Sequence, residues 1–269
     1  MAKHIFFHVG ISKTGSTFLQ QRVFPYIKNI EYIPTHKYRQ INDEIKKVKN
    51  GPILVSREFD RQFEREVDLF AKHQKNVTPI IVFRQHDQYL ASQYRRFIKN
   101  GFKGEVESFF DVENDVGFFK KIHFNFSYQV EYLRQKFNTE PLVFIYEDLK
   151  NEPQHFIENF VDSIGGEINP QAVDFSTKHG SYNEKQLKVI KTISKYINLE
   201  KRRVFNTALL HLLWRFYHAI IRYSILYLAL IIPSILISKK ALINKVYLEK
   251  VKEYFIEDWN KINTIKYKK

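Results

Sequence analysis

Lys13, Thr14, Gly15, Ser16 and Thr17 stand together between an apolar run, Ile5-Phe6-Phe7, and the start of an expected helix. An ammonium, three hydroxyls and a glycine at the junction of a strand and a helix N-terminus are the ingredients of an anion cradle. Unpaired backbone N–H groups and the positive end of the helix dipole face the anion, and glycine lets the backbone come close. In the common triphosphate loop, G-x-x-x-x-G-K-[ST], the lysine follows the second glycine. Here Lys13 precedes Gly15, so its ammonium is expected on a different side of the phosphate. A second group lies further along: Arg84 closes an apolar run, and Ser92 follows eight residues later on an expected helix. A guanidinium presents a planar fork of donors to phosphate and serine adds a hydroxyl. Two such anion sites imply a ligand with two separated phosphate-like groups.

The elements that must hold these groups are legible as an alternation. Ile5 to Val9, Ile53 to Ser56, Pro79 to Phe83 and Leu142 to Tyr146 are short runs rich in Ile, Val and Phe. Their near-continuous apolar character suits parallel strands buried on both faces. Amphipathic stretches at about 16–24, 60–74, 87–100, 124–138 and 153–164 lie between or after them. Strands alternating with helices predict βαβ units and an α/β fold, a central parallel sheet flanked by helices in three layers. Ligands of such sheets bind beyond the carboxyl ends of the strands. That is where Lys13, Arg57, Glu58, Arg84, Glu147 and Asp148 fall.

With these motifs in hand, the sequence resembles the sulfotransferases that use 3′-phosphoadenosine 5′-phosphosulfate (PAPS). Lys13-Thr14-Gly15-Ser16-Thr17 is similar to that family's K-T-G-T-T loop, and Arg84 and Ser92 match its 3′-phosphate pair in spacing. Ile53 to Glu58, Phe144 to Leu149 and Gly165-Gly166 resemble segments of the carbohydrate-modifying branch with bacterial members. The likeness covers roughly 3–198 and the final helix. It implies a P-loop-like fold, PAPS as donor, 3′,5′-bisphosphoadenosine as product and no metal. There are departures: Ser16 stands for the more usual Thr, no Pro follows Arg84, and the late Lys/Arg-Gly segment is represented only loosely by Lys178 to Tyr182.

The resemblance implies that Lys13, with the backbone of Gly15, Ser16 and Thr17 and the neighbouring Thr14, takes the 5′-phosphosulfate. Arg84 and Ser92, with Lys178, take the 3′-phosphate. An acceptor hydroxyl needs a base, and a carboxylate or imidazole can serve. Glu58 is the first choice, with His8 and His36 behind it. Plainer roles stand beside these: Glu58 as a helix cap or a partner of Arg61 or Arg65, His8 as a core histidine, Arg84 paired with Asp87. Glu147 and Asp148 read as loop anchors and His86 as a residue just inside a helix.

Composition bounds the partners. The chain has 269 residues, no Cys and a formal charge of +14. Length fits one domain, 1–269, with 199–245 an insertion and 246–264 a closing helix. The charge favours anionic partners: a nucleotide donor and an acidic carbohydrate or glycolipid acceptor, with no nucleic acid required. Absence of Cys excludes disulfides and thiolate metal sites, and no metal-ligand spacing stands out. The start of the chain lacks the features of a signal peptide, which predicts a cytoplasmic protein.

Residues 204–238 differ in character. Tyr223 to Ile237 carry no charge, Pro233 interrupts the run, and basic residues flank it. His211, Arg215, His218 and Arg222 recur at helical spacing as one stripe. Two readings are open: a segment lying on an anionic membrane surface through 204–240, or a pair of core or dimer helices. For the whole chain a nucleotide kinase or NTPase, and a non-enzymatic basic protein binding nucleic acid or membrane, are the alternatives. The first needs a Lys after Gly15 and a magnesium-binding Asp at a strand end.

Overall fold

The structure, a computed structural model, describes residues 3–176, 182–199 and 205–267. In chain order, β1 (Ile5–Gly10) leads through α1 (Ser16–Phe18), continued by a π-helical turn over Leu19–Val23, to β2 (Glu31–Ile33). Helix α2 (Ile41–Lys47) precedes β3 (Ile53–Glu58), and α3 (Phe63–His73) precedes β4 (Val77–Phe83). Helices α4 (His86–Lys99), α5 (Val106–Phe109) and α6 (Phe126–Phe137) lie between β4 and β5 (Leu142–Ile145). Then come α7 (Tyr146–Asn151), α8 (Pro153–Ser163), α9 (Glu184–Ile193), α10 (Ala208–Leu228), α11 (Lys245–Tyr254) and α12 (Ile256–Ile265).

The chain forms two compact units. The first comprises 1–89, 119–176 and 252–269; the second comprises 90–118 and 177–251. The first unit holds the sheet, in the order β2-β3-β1-β4-β5, and all of its pairings are parallel. It is the α/β architecture expected from the alternation of apolar runs. Connections from β1 run to β2 and β3 on one side, and those from β4 to β5 on the other. The crevice at the carboxyl ends of β1 and β4 is therefore the topological switch point, where open α/β sheets bind ligands.

Alternation along β1 divides the core. Phe7 stacks on Phe70 of α3 with centroids 3.9 Å apart and meets Phe137 of α6 edge-on. Its neighbour His8 faces the other layer, against Phe24 and Phe160 of α8. That second layer continues through Leu54, Ile80, Val82 and Phe144, all buried. Burying such side chains supplies on the order of 2 kcal/mol each, which fixes the strand ends that carry the polar residues.

Three local expectations change. Strand β2 is only three residues long, too short for any sequence period to show. Tyr146 opens α7 rather than closing β5. The closing helix is two helices broken at Phe255, with neither Gly nor Pro at the break; the Phe255 ring stacks on His86 at 4.5 Å.

In the second unit Tyr94 of α4 is buried; its hydroxyl donates to Gly104 O at 2.9 Å and accepts from Lys191 Nζ of α9 at 3.0 Å. Over 205–238 the chain forms one 21-residue helix, α10, followed by an irregular stretch with a single 3-10 turn at Ser234–Leu236, while residue 204 of the expected segment lies outside the described residues. Among the described residues no helix is long and apolar enough to cross a membrane.

Candidate active site

All the side chains assembled here belong to the first unit. Beyond Gly10 the chain turns at once, and Thr14 Oγ1 closes the turn by donating to Ile11 O at 2.8 Å. Thr14 Oγ1 also lies 3.4 Å from Ser16 Oγ. Thr14 and Ser16 are buried, while Lys13 and Thr17 are exposed. Two residues take left-handed backbone conformations, Lys13 at φ 75° and Gly15 at φ 84°. Glycine adopts that region freely; for lysine it costs on the order of 1 kcal/mol, a strain that clusters at ligand-binding turns. Buried hydroxyls thus hold a turn that presents the lysine outward, next to a helix start.

Gly15 is required for a second reason. A Cβ there would fall 2.5 Å from Leu149 Cδ2 and 3.5 Å from Tyr146 Cδ2. Both belong to α7, so the start of that helix closes over the loop. The pairing of Phe83 with Ile145 puts the next residues, Arg84 and Tyr146, side by side. The Arg84 guanidinium lies 4.6 Å from the centroid of the Tyr146 ring, and its Nη1 donates to Lys13 O at 3.3 Å. Arg84 therefore meets the Lys13 loop directly at the switch point.

On the other side of β1, Glu58 is the register partner of Gly10. A methyl group on Gly10 would lie 3.0 Å from Ser16 Oγ, 3.3 Å from Glu58 Cγ and 3.4 Å from His8 Cε1. The missing side chain of Gly10 is what allows a loop hydroxyl, a carboxylate and an imidazole to converge. Glu58 is half-buried. His8 is fully buried: its Nδ1 pairs with Ser56 Oγ at 2.8 Å, and Ser56 Oγ accepts from Gln20 Nε2 at 2.9 Å. Its Nε2 has no hydrogen-bond partner among the described residues. Burial pushes the His8 pKa down to about 3, so the ring is neutral at physiological pH.

Other polar groups near the strand ends have anchoring contacts. Glu147 Oε1 accepts from the Gln85 N–H at 3.1 Å. Burial raises the Glu147 pKa, although this hydrogen bond and nearby Arg84 pull the other way. Asp148 accepts from Lys266 Nζ at 2.9 Å. His86 is buried between Phe126 and Phe255, with Nε2 at 3.0 Å from Phe124 O and 3.1 Å from Asp258 Oδ2. His36 is exposed on the turn Thr35–Gln40.

Of the residues singled out from sequence, Lys13, Thr14, Gly15, Ser16, Thr17, Arg84, Glu58 and His8 all fall at the carboxyl ends of β1, β3 and β4 or on β1 itself. Ser92 is half-buried on α4, in the stretch that counts with the second unit. Lys178 lies outside the described residues. Sequence reasoning missed the close approach at Gly10, the Tyr146 ring against Arg84, and the Gln20–Ser56 link to His8. A glycine ending an otherwise bulky strand was the available signal for the first. Among the described residues no group of three His, Asp or Glu side chains could hold a metal ion.

No family model matches this sequence, and no curated protein does. The fold does have a counterpart: a sulfotransferase from Alicyclobacillus acidocaldarius, solved by crystallography, superposes with a TM-score of 0.50 at 12% identity. The match covers 76% of this chain and 98% of that one. The two chains thus share an α/β fold.

Proposed function

We propose that this chain is a sulfotransferase that moves a sulfuryl group from PAPS to a hydroxyl or amine of a carbohydrate, in a polysaccharide or glycolipid. The observation that carries this reading is the meeting of the Lys13–Thr17 loop with Arg84 at the switch point, Arg84 Nη1 reaching Lys13 O at 3.3 Å. A donor with phosphate groups at both its 5′ and 3′ positions needs two anion sites a short distance apart, and these are cationic, donor-rich and adjacent. The sulfotransferase fold of the counterpart supports the class. The acceptor class rests on the likeness of Ile53 to Glu58 and Phe144 to Leu149 to the carbohydrate-modifying branch.

The reaction is an in-line displacement at sulfur. A bond forms between the acceptor oxygen or nitrogen and sulfur, while the bond from sulfur to the bridging oxygen breaks. The electron pair of the broken bond stays on the 5′-phosphate of the leaving 3′,5′-bisphosphoadenosine. The acceptor proton passes to a carboxylate, for which Glu58 is proposed. Lys13 stabilises the bridging oxygen as its charge grows, and the Gly15, Ser16 and Thr17 N–H groups hold the phosphate. Arg84 takes the 3′-phosphate. His8 is a poor alternative base, because an imidazole whose pKa is near 3 has little affinity for a proton at neutral pH.

Thermal melting tests the donor site. A ligand at about 100 times its dissociation constant stabilises the folded state by roughly 2.7 kcal/mol, worth several degrees at this size. Saturating 3′,5′-bisphosphoadenosine should raise the melting temperature, AMP should do so far less, and Arg84→Ala should erase the difference. A shift with ATP and magnesium alone would replace this reading with a kinase.

A further inference from the structure

Helix α10 wears its amphipathicity inside out. Leu209, Leu212, Leu213, Phe216, Ile220 and Tyr227 are all exposed, Leu209 by 66% and Phe216 by 65%. At 100° per residue the exposed apolar side chains of the helix span an arc of about 160°. His211, His218 and Arg222 are half-buried on the opposite side, where Ile225 and Leu226 are buried. Three of the four residues of the stripe read from the sequence thus turn toward the protein, Arg215 is exposed, and the greasy face looks outward. Helix α9 fixes that orientation: Gln186 Nε2 donates to Leu226 O at 3.0 Å and Lys185 Nζ to Leu230 O at 2.9 Å. The apolar surface continues beyond the helix through Ile231, Ile235 and Leu236. An exposed apolar patch of this extent marks an interaction surface.

Charge identifies what covers it. Residues 201–248 contain eight Lys or Arg and no Asp or Glu. Beside the patch, a cavity of about 420 Å³ is lined by Lys188, Lys191, Lys195 and Lys240, with Ile232 and Leu236 on its apolar wall. Glu105 also borders it and pairs with Lys191 at 2.9 Å, and Lys188 pairs with Glu184 at 2.8 Å, so the net positive charge of the cavity rests on Lys195 and Lys240. A second copy of this chain would bring an equally basic rim against the first. No described helix is long and apolar enough to cross a bilayer, and an apolar arc flanked by cations suits the interfacial plane.

We propose that α10 lies in the interfacial layer of an anionic phospholipid membrane, its exposed arc among the acyl chains, and that the lysine-lined cavity takes a lipid headgroup phosphate. Apolar insertion and attraction of flanking cations to anionic lipid act together in such helices. The proposal rests on exposure and charge in the second unit and is independent of the sulfotransferase reading, whose melting test can fail without affecting it.

Vesicle co-sedimentation of the full chain decides it. The protein should sediment with mixed phosphatidylglycerol–phosphatidylcholine vesicles and at least about tenfold less with phosphatidylcholine alone. The exposed-face double variant Leu212→Glu/Phe216→Glu should lose binding to the mixed vesicles at an unchanged melting temperature. Lys195→Glu/Lys240→Glu should lower the preference for the anionic vesicles by roughly tenfold. Equal binding to both vesicle types, or an unchanged preference in the lysine variant, would overturn the headgroup assignment. No sedimentation with either vesicle, with a dimer in light scattering that Leu212→Glu/Phe216→Glu dissociates, would overturn the membrane in favour of a second copy.

Discussion

Arg84 donates from Nη1 to the main-chain carbonyl of Lys13 at 3.3 Å, across 71 residues of sequence. The contact ties the end of β4 to the loop after β1, so the cation proposed for one phosphate braces the turn that presents the cation proposed for the other. Two roles that a sequence treats as separate become one mechanical unit.

The two residues should nonetheless fail differently. Lys13→Ala removes charge stabilisation that grows only during transfer, so kcat should fall on the order of 100- to 1,000-fold while the affinity for 3′,5′-bisphosphoadenosine changes much less. Arg84→Ala removes a charge-assisted contact to the bound nucleotide, which should weaken its Kd by about 10- to 100-fold. Calorimetric titration beside steady-state rates separates the two. Losses of binding and rate in equal proportion in both variants would refute the division of labour.

Gly15→Ala meets a left-handed φ of 84° and Leu149 Cδ2 at 2.5 Å. Destabilisation of about 1–3 kcal/mol is expected in urea unfolding. Adding Leu149→Ala should recover the steric part but leave the conformational part, so the pair should be non-additive. Strict additivity would mean that α7 does not restrain the loop.

His8 gives a pH signature. Its folded pKa, about 3, lies below the ordinary value of 6.5, so the unfolded chain binds a proton more readily. The stability held by its neutral form is complete above about 6.5 and is lost as pH falls from there toward 3, by up to roughly 5 kcal/mol. Urea midpoints between pH 7 and pH 4 should fall for the wild type and run flatter for His8→Gln. Parallel curves would place the acid sensitivity elsewhere.

Asp258 is the strongest of the remote anchors. Its Oδ2 accepts from the Phe126 N–H at 2.9 Å and its Oδ1 from the Ser127 N–H at 3.0 Å, capping α6 from α12, while His86 Nε2 is 3.1 Å away. Burial raises its pKa, but the hydrogen bonds from His86, Ser127 and Phe126 outweigh that and hold it below the ordinary value. Asp258→Ala should cost about 2–3 kcal/mol at neutral pH without changing nucleotide affinity. The acid loss from this carboxylate comes at lower pH than that from His8, as pH falls through its depressed value. A variant that weakens the nucleotide as much as it weakens the fold would make Asp258 part of the site.

The sequence made the sheet and its chemical edge legible because both depend on local patterns. Apolar runs of Ile, Val and Phe must be buried wherever they lie, and Lys13 to Thr17 sit within a single turn. What escaped it depends on contacts between distant positions. Gly10 matters because Ser16, Glu58 and His8 converge on the space beside it, and only the strand register sets that. Tyr146 matters because β4 and β5 end level with one another. The polar stripe of α10 was legible as a period, but a period does not say which face turns inward; the hydrogen bonds from α9 do.

The left-handed backbone at Lys13 carries a consequence for the history of the chain. A glycine there would keep the turn, shed the strain and melt higher by a few degrees, while discarding the ammonium. Selection for a sturdier protein and selection for an active one therefore pull in opposite directions at this codon. A lineage that stopped needing the ammonium would be free to relax there first, leaving the fold intact and the loop mute.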